Sequence, residues 1–485
     1  MSRGLGMRTL ASTFLGGALL AAMLSGNAAS QGVSSSRCAA PIPTGFDWPA
    51  DPVKLWQMSG GIASPNLNIP GKIDLAQQRA HGWMLFAGVT QPSSSAANGQ
   101  PVFHTWYTVE EAFDATPGKI DCSKRYPIQL TLPTQLIMVA PNPARELAEK
   151  NGLNVAPRFD PNPGQFTATD ASISTLASHQ GIVAFSHVAF NQEMYDWLRD
   201  NQFYSKTALN QLLDANVARK LITPVPAAGI SLKFSWWPAA PDRLTAVPVW
   251  DNDPRFPGDA KNPPTSWKRV VMVDPVGSLP VPASVELGGF EHINLTSVPL
   301  SKFYNVQVTK EEADLANTDF RIKSAATAVL GRPLQAGDYI LMTALHIATR
   351  EFPPWVFTTF WWSDNAAANP LGKDMPPTGI KGAFRNYIMD FSYNINDPKT
   401  ADGKAPVAYN PWLELFQFGG TRSQCMACHA RAAYGPKVQA AFNPQSMSTA
   451  DPNGFDASPQ NSSDPNFAKG TLDLDRVWTI FTRAE

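Results

Sequence analysis

Tyr339-Ile-Leu-Met-Thr-Ala-Leu-His-Ile-Ala-Thr349 and Trp355-Val-Phe-Thr-Thr-Phe-Trp-Trp362 are two β-rich runs separated only by Arg350-Glu-Phe-Pro-Pro354. β-Branched and aromatic residues suit a pleated, buried surface, and prolines between two such runs mark a turn. The pair predicts a hairpin. It lies in a strand-like middle of the chain, about 228 to 365. There Ile230, Leu232, Phe234 and Trp236 alternate as one face of a strand does, and Val270 to Val273 is a short apolar run. Helical signals surround this middle. Thr108-Val-Glu-Glu111 and Thr309-Lys-Glu-Glu312 have the form of capping boxes. That role accounts for their acidic pairs without catalysis. Met194, Trp197 and Leu198 follow Asn191, and Leu209, Leu212 and Leu213 follow Ser205, both sets at helical spacing. Arg79-Ala-His81-Gly-Trp83-Met-Leu-Phe86 reads as helical and aromatic. No internal repeat is present. The fold class expected is α+β, with a strand-rich mixed central body.

The last part, 405 to 485, reads differently. Asn410-Pro411 offers a cap followed by proline in the first turn, and Gly419-Gly420 would end that helix. Leu474, Val477, Trp478 and Phe481 fall at i, i+3, i+4 and i+7, which predicts an amphipathic helix at the end. Between them stands Cys425-Met-Ala-Cys428-His429. Cys-x-x-Cys-His is the attachment signal for a c-type haem. Two thiols add to the two haem vinyl groups, and the adjacent histidine presents its imidazole to the iron. A zinc or thiol-redox site is the alternative for a bare Cys-x-x-Cys. Zinc normally takes four ligands, and the only other cysteines, Cys38 and Cys122, are far upstream.

Arg3 and Arg8 precede a short apolar run, Leu10 to Leu24, followed by Ser25-Gly26-Asn27-Ala28-Ala29-Ser30. This has the form of a secretory signal peptide, with cleavage after Ala29 or Ser30. The alternative, an uncleaved anchor, needs an apolar span of roughly 20 residues. No later stretch is apolar for long enough, so no membrane span is expected after cleavage. The expected location is the periplasm or outside the cell. There the two remaining cysteines, Cys38 and Cys122, are expected to pair, the alternative being two free buried thiols. The formal charge is −1, and losing the signal takes it to about −3. With no basic stripe, nucleic acid is excluded as an expected partner. Charged residues are 16% of the chain, below the usual quarter or so, while 43 prolines and 14 tryptophans describe long connections around a large aromatic core. The length gives two or three domains. The divisions read are a signal peptide over 1–30, a mixed segment over 31–165, the strand-rich body over 166–404 and a monohaem domain over 405–485. Pro141 to Gly164 reads as a linker or long surface loop.

The second axial position of the iron decides between electron transfer and ligand chemistry. Met447, in Asn443-Pro-Gln-Ser-Met447, follows the motif in a loop and is one candidate; a surface methionine is the bland reading. His346, among Met342, Ala344 and Ala348 on one strand face, is the candidate from the body, where a satisfied core histidine is the commoner occurrence. Arg422 and Arg431 flank the motif and could pair with haem propionates or simply be solvated. No Gly-x-Gly-x-x-Gly, P-loop, His-Glu-x-x-His or Gly-x-Ser-x-Gly occurs.

A helix leading into Cys-x-x-Cys-His and an apolar C-terminal helix is similar to the small class I cytochromes c. The resemblance covers only the tail. It departs in the stretch between motif and last helix, which is short and loop-like. Arg79-x-His81-x-Trp83, Tyr195 to Asn201, the strand ending at Trp236, and Leu345-His346-Ile347 with Pro354-Trp355-Val356 resemble a group of exported bacterial cytochrome c family proteins. That resemblance spans most of the chain. It implies export and one covalent haem c, and no particular substrate. The expected function is electron transfer, with a redox partner protein or a small-molecule donor or acceptor. The alternatives are a haem-dependent oxidoreductase with a substrate pocket in the body, and a partner-binding protein with a tethered haem.

Overall fold

The computed structural model describes residues 38–63, 68–96, 99–116, 120, 122, 135–139, 182–213, 220–250, 269–287, 290–318, 320–353, 355–368, 375–393, 408, 410–414, 425–429, 432–435 and 471–485. The signal peptide, the linker from Pro141 to Gly164, Gly419-Gly420, Arg422, Arg431, Met447 and the expected domain boundaries lie outside these residues.

The first described helix, α1 (Pro52–Met58), starts on Asp51, whose carboxylate accepts from the Val53 N–H. Asp74 caps α2 (Leu75–Val89) in the same way through Gln77. Most of α2 is buried, as expected of a helix apolar on more than one side. Strand β1 (Tyr107–Thr108) runs into α3 (Val109–Phe113) through the predicted capping box, in which Thr108 and Glu111 satisfy each other's backbone N–H. Strands β2 (Gln135–Val139) and β3 (Ile182–Phe190) follow. Helices α4 (Gln192–Asp200) and α5 (Lys206–Leu212) are capped by Asn191 and Ser205, as their sequences predict. Next come β4 (Lys220–Leu221), β5 (Ile230–Ala239), β6 (Thr245–Val249), β7 (Arg269–Asp274), β8 (Thr296–Pro299) and β9 (Asn305–Gln307). The second capping box, Thr309 with Glu312, opens α6 (Lys310–Ala316), and α7 (Phe320–Leu330) succeeds it. The predicted hairpin is β10 (Tyr339–Thr349) and β11 (Val356–Trp362), and β12 (Tyr387–Ser392) adds to it. The tail contributes α8 (Pro411–Glu414), α9 (Cys425–His429), β13 (Ala433–Tyr434), β14 (Leu472–Asp473) and α10 (Trp478–Arg483).

Eight of these strands make one antiparallel sheet in the order β12-β11-β10-β5-β3-β1, with β9 also on β10 and β2 also on β3. Strands β8, β7 and β6 form a smaller sheet. In the hairpin Thr349 pairs with Val356 and Ala344 with Trp361. Trp355 stays in the turn at φ 71°, so the strand begins one residue after the aromatic run does. Both strands are buried almost throughout, which is why they read as continuous apolar runs rather than as an alternation.

Alternation along the strands divides the sheet into two faces. One carries Phe234, Trp236, Leu345, Phe360 and Met389 and is covered by α2. Phe86 of α2 stacks on Phe360 with centroids 4.3 Å apart. Gly82 makes this contact: a Cβ there would lie 2.8 Å from Met389 Sδ and 3.0 Å from Thr358 Cγ2. The other face carries Phe190, Lys233, His346, Ala348, Phe357, Thr359 and Asp390, and the described part of the tail lies on its Phe357 side. Cys425, Met426, Leu472, Leu474 and Trp478 share one apolar cluster with Phe190, Ala348, Trp355 and Phe357. From Arg37 to Glu485 the chain forms a single contact unit.

The mixed, strand-rich body expected from sequence is therefore present. Two details of the tail differ from expectation. Helix α10 begins at Trp478; Leu474 and Val477 are buried ahead of it, separated by Asp475 (φ 47°) and Arg476 (φ 70°), whose left-handed backbone no α-helix tolerates. The tail also contains strands, with β14 pairing antiparallel to β13 and parallel to β4.

Candidate functional site

Helix α9 is a single turn and a little more, made of the motif itself. Positions 425, 428 and 429 stand at i, i+3 and i+4, so they share one side of the helix. Cys425 is 2% exposed. Its N–H and its thiol both donate to the Ala408 carbonyl, at 3.1 and 3.3 Å. His429 is half-buried, with its ring centroid 4.5 Å from that of Phe357 on β11. The central sheet thus supports the ring from beneath.

The tautomer of His429 follows from one contact. Its Nδ1 lies 2.8 Å from the Arg476 carbonyl oxygen. A carbonyl can only accept, so Nδ1 carries the proton and donates. The neutral ring then keeps its lone pair on Nε2, which is the arrangement a metal-binding imidazole needs.

That carbonyl is held by the turn between β14 and α10. Asp475 and Arg476 are both left-handed, each costing roughly 1–2 kcal/mol for a non-glycine residue. A ring of hydrogen bonds offsets the strain. The Asp475 N–H donates to Asp473 Oδ1 at 3.0 Å. Its carboxylate, 1% exposed, accepts from the Val225 N–H at 2.9 Å, Arg350 Nε at 3.1 Å and Trp355 Nε1 at 3.0 Å. Two further backbone bonds, Ala432 N–H to His429 O and Leu474 N–H to Ala432 O, each 3.0 Å, tie the end of the motif helix to the same turn.

Arg350 and Trp355 belong to the hairpin turn. Its other side is fixed by a second buried network. Glu351 accepts from the Ala50 N–H at 2.9 Å and the Thr349 hydroxyl at 2.6 Å, and meets His81 Nε2 at 3.1 Å. His81 Nδ1 lies 2.5 Å from the Tyr393 hydroxyl. The hairpin that decides the fold therefore also anchors the motif's support.

His346 is buried on the same sheet face as Phe357. Cross-strand pairing lines up Lys233, His346, Thr359 and Asp390 in one row over four strands. Diagonal neighbours of this kind sit roughly 7–8 Å apart, which is the step from His346 to Phe357. Asn410 reaches the row from above: its Nδ2 donates to Thr359 Oγ1 at 2.6 Å and to Phe360 O at 3.1 Å. Its Oδ1 caps α8 by accepting from the Trp412 and Leu413 N–H groups. The polar row thus runs between the sheet positions beneath α8 and those beneath α9.

The other face holds histidines of a different kind. His187 Nδ1 accepts from Trp236 Nε1 at 2.8 Å, and desolvation draws its pKa down to about 3. Burial, then the neighbouring His187, holds His104 well below the usual imidazole range. His104 Nε2 lies 2.5 Å from the Tyr304 hydroxyl, whose own pKa burial raises. Both imidazoles are neutral.

Of the site residues read from sequence, Cys425 and His429 are brought together with the sheet, His346 lies near on the same face, and Met447 lies outside the described residues. Cys38 and Cys122 come together as a disulfide. Asp475, Arg476 and Arg350 were not anticipated. Nothing in Leu472-Asp-Leu-Asp-Arg476 marks a histidine support, because its role depends on backbone shape and on partners hundreds of residues away. Among the described residues no group of three or more His, Cys, Asp or Glu gathers as a metal cage, and no helix is long and apolar enough to cross a membrane. No protein family, curated protein or solved structure matches the chain.

Proposed function

We propose that this chain is an exported c-type cytochrome that carries one covalent haem and transfers electrons. Cys425 and Cys428 would hold the haem as thioethers, and His429 would bind the iron from the proximal side. Such a group supplies a one-electron couple whose potential follows its axial ligands and their hydrogen bonds. The observation that carries this reading is the His429 tautomer. Nδ1 is committed to the Arg476 carbonyl, so Nε2 offers the lone pair. The fit extends to the helix itself, whose one side bears positions 425, 428 and 429. In this reading 405–485 is a small haem-bearing segment akin to class I cytochromes c, and the work is done in the periplasm or outside the cell. Its partner is a redox protein or a small-molecule donor or acceptor. Met447 and His346 are the two candidates for the second axial ligand.

One observation favours the enzyme reading as a second choice. Lys233, His346, Thr359 and Asp390 form a polar row on the sheet face that meets His429. A simple carrier has no use for such a row near His429; in a haem-dependent oxidoreductase these side chains would hold and pass protons.

The test is an optical spectrum of protein matured with the c-type haem machinery, oxidised and reduced, with and without carbon monoxide, beside its intact mass. A mass increase of one haem and a low-spin spectrum indifferent to carbon monoxide is the result expected of the carrier. A high-spin iron that takes carbon monoxide moves the assignment to the oxidoreductase. No covalent haem refutes both.

A further inference from the structure

We propose that Asp475 is a positioning residue for the proximal histidine: it locks the left-handed turn that presents the Arg476 carbonyl to His429 Nδ1, and so sets how strongly that imidazole donates to iron. The inference rests on the haem reading above and extends it to a residue with no contact to the haem motif in sequence.

Three features carry it. First, the turn is not self-supporting. Two consecutive non-glycine residues, Asp475 and Arg476, have positive φ, and such backbone persists only where its surroundings hold it. Second, the holding group is Asp475. Its carboxylate is nearly inaccessible and takes three donors from two separated parts of the body, Val225 and the hairpin turn with Arg350 and Trp355. Trp355 is itself left-handed at φ 71°, so the Trp355–Asp475 bond joins two stretches of unusual backbone. Third, the carbonyl so positioned belongs to the very next residue, and it meets His429 Nδ1 at 2.8 Å. An acceptor behind the ring fixes the tautomer and raises the basicity of the ligating nitrogen; partners of this kind typically change metal affinity or activity 10–100-fold when lost.

The direction of the effect follows. A more basic imidazole favours ferric over ferrous iron. Loosening the turn lengthens the Nδ1–H···O contact, lowers that basicity and raises the midpoint potential. The central sheet, through its hairpin turn, thereby tunes a centre that the motif alone would only anchor.

The test uses full-length protein matured with haem. Asp475→Ala removes all three acceptor bonds; Asp475→Glu keeps the charge but displaces the oxygens by a methylene. Both are expected to keep the thioether-linked haem by mass and to raise the potential, with about a tenfold change in the ferrous-to-ferric ratio at a fixed poise, ~59 mV for one electron. Trp355→Phe removes one donor without changing charge, and a smaller rise is expected; it stands in if Asp475→Ala does not fold. Asp475→Glu at the wild-type potential would mean that charge alone acts, and overturns the positioning role. So does a folded, haem-bearing Asp475→Ala or Trp355→Phe whose potential is unmoved while its melting temperature falls. Wild-type protein without covalent haem is a separate outcome, and defeats the reading beneath.

Discussion

His187 and His429 flank the two faces of one sheet, and their Nδ1 atoms do opposite things. An indole N–H can only donate, so Nδ1 of His187 accepts from Trp236 and its proton resides on Nε2. A carbonyl can only accept, so Nδ1 of His429 donates to Arg476 and the lone pair resides on Nε2. The first ring is a core residue held neutral by desolvation. The second has its Nδ1 turned to the Arg476 carbonyl, which leaves Nε2 as the atom assigned to iron in the function proposed above. The coverings differ as well. A long, well-buried helix closes the aromatic face, whereas short pieces of tail, fastened by side-chain hydrogen bonds and left-handed backbone, close part of the other. Residue type says little about a histidine; the atom behind its Nδ1 says a great deal.

Replacing the two histidines in turn is the harshest way to break this contrast. In haem-matured protein His429→Gln is expected to abolish the low-spin spectrum. His187→Gln should leave the spectrum intact and lower stability in a urea melt by about 1–3 kcal/mol, the cost of disturbing a buried hydrogen bond. A folded His187→Gln protein that has lost its haem spectrum would erase the distinction.

Acid gives the next largest effect. The folded-state pKa of His187 lies near 3, below the 6.5 of the free group, and that of His104 is lowered too. The unfolded chain then binds more protons between those values, so stability falls as pH drops from about 6.5 toward 3, by about 5 kcal/mol from His187 alone. Urea midpoints at pH 7, 5 and 4 measure the slope, and His187→Phe should flatten it; an equally steep slope in that variant would assign the acid sensitivity elsewhere. Gly82→Ala comes third. The added methyl meets Met389 and Thr358 in a packed interface and should cost about 1–3 kcal/mol without moving the haem spectrum, since it acts on the face away from the motif.

The smallest effect has the opposite sign and belongs to the motif side. Burial pushes Glu110 on α3 up to about 7, against the pull of Arg483 on α10 at 3.9 Å. Here the folded state binds the proton more tightly. The contribution of this one group is fully present below about 4.5 and is lost as pH rises through about 7. With a quarter of the side chain exposed, the change is about 1 kcal/mol. Glu110→Gln should remove it. Equal and parallel pH slopes in His187→Phe and Glu110→Gln would dissolve the proposed difference between the faces.

What could be read in the sequence was local. Thr108 with Glu111 and Thr309 with Glu312 are three apart, and their reciprocal bonds need no other partner. The hairpin could be read because its strands are separated by six residues, 350 to 355. Sheet order could not. Strand β5 lies between β10 and β3, and β9 adds itself to β10, by contacts that no spacing encodes. Likewise Cys-x-x-Cys-His announces a chemistry, while the group that orients its histidine arrives from a turn 47 residues on. The helix expected from Leu474 misses for a related reason: its spacing is helical, but the Asp475 carboxylate accepts from Val225, Arg350 and Trp355 and holds the backbone in another shape.

The depth of Cys425 has a consequence for timing. At 2% exposure, with its thiol on Ala408 and its apolar neighbours drawn from both sheet and tail, the sulfur is out of reach of any reagent in the closed molecule. The lock that completes this closure joins Val225 to Asp475, positions 250 apart, the kind of long-range contact that forms slowly. In the function proposed above, attachment at that sulfur would therefore be done on an open chain, and folding would then seal the product in.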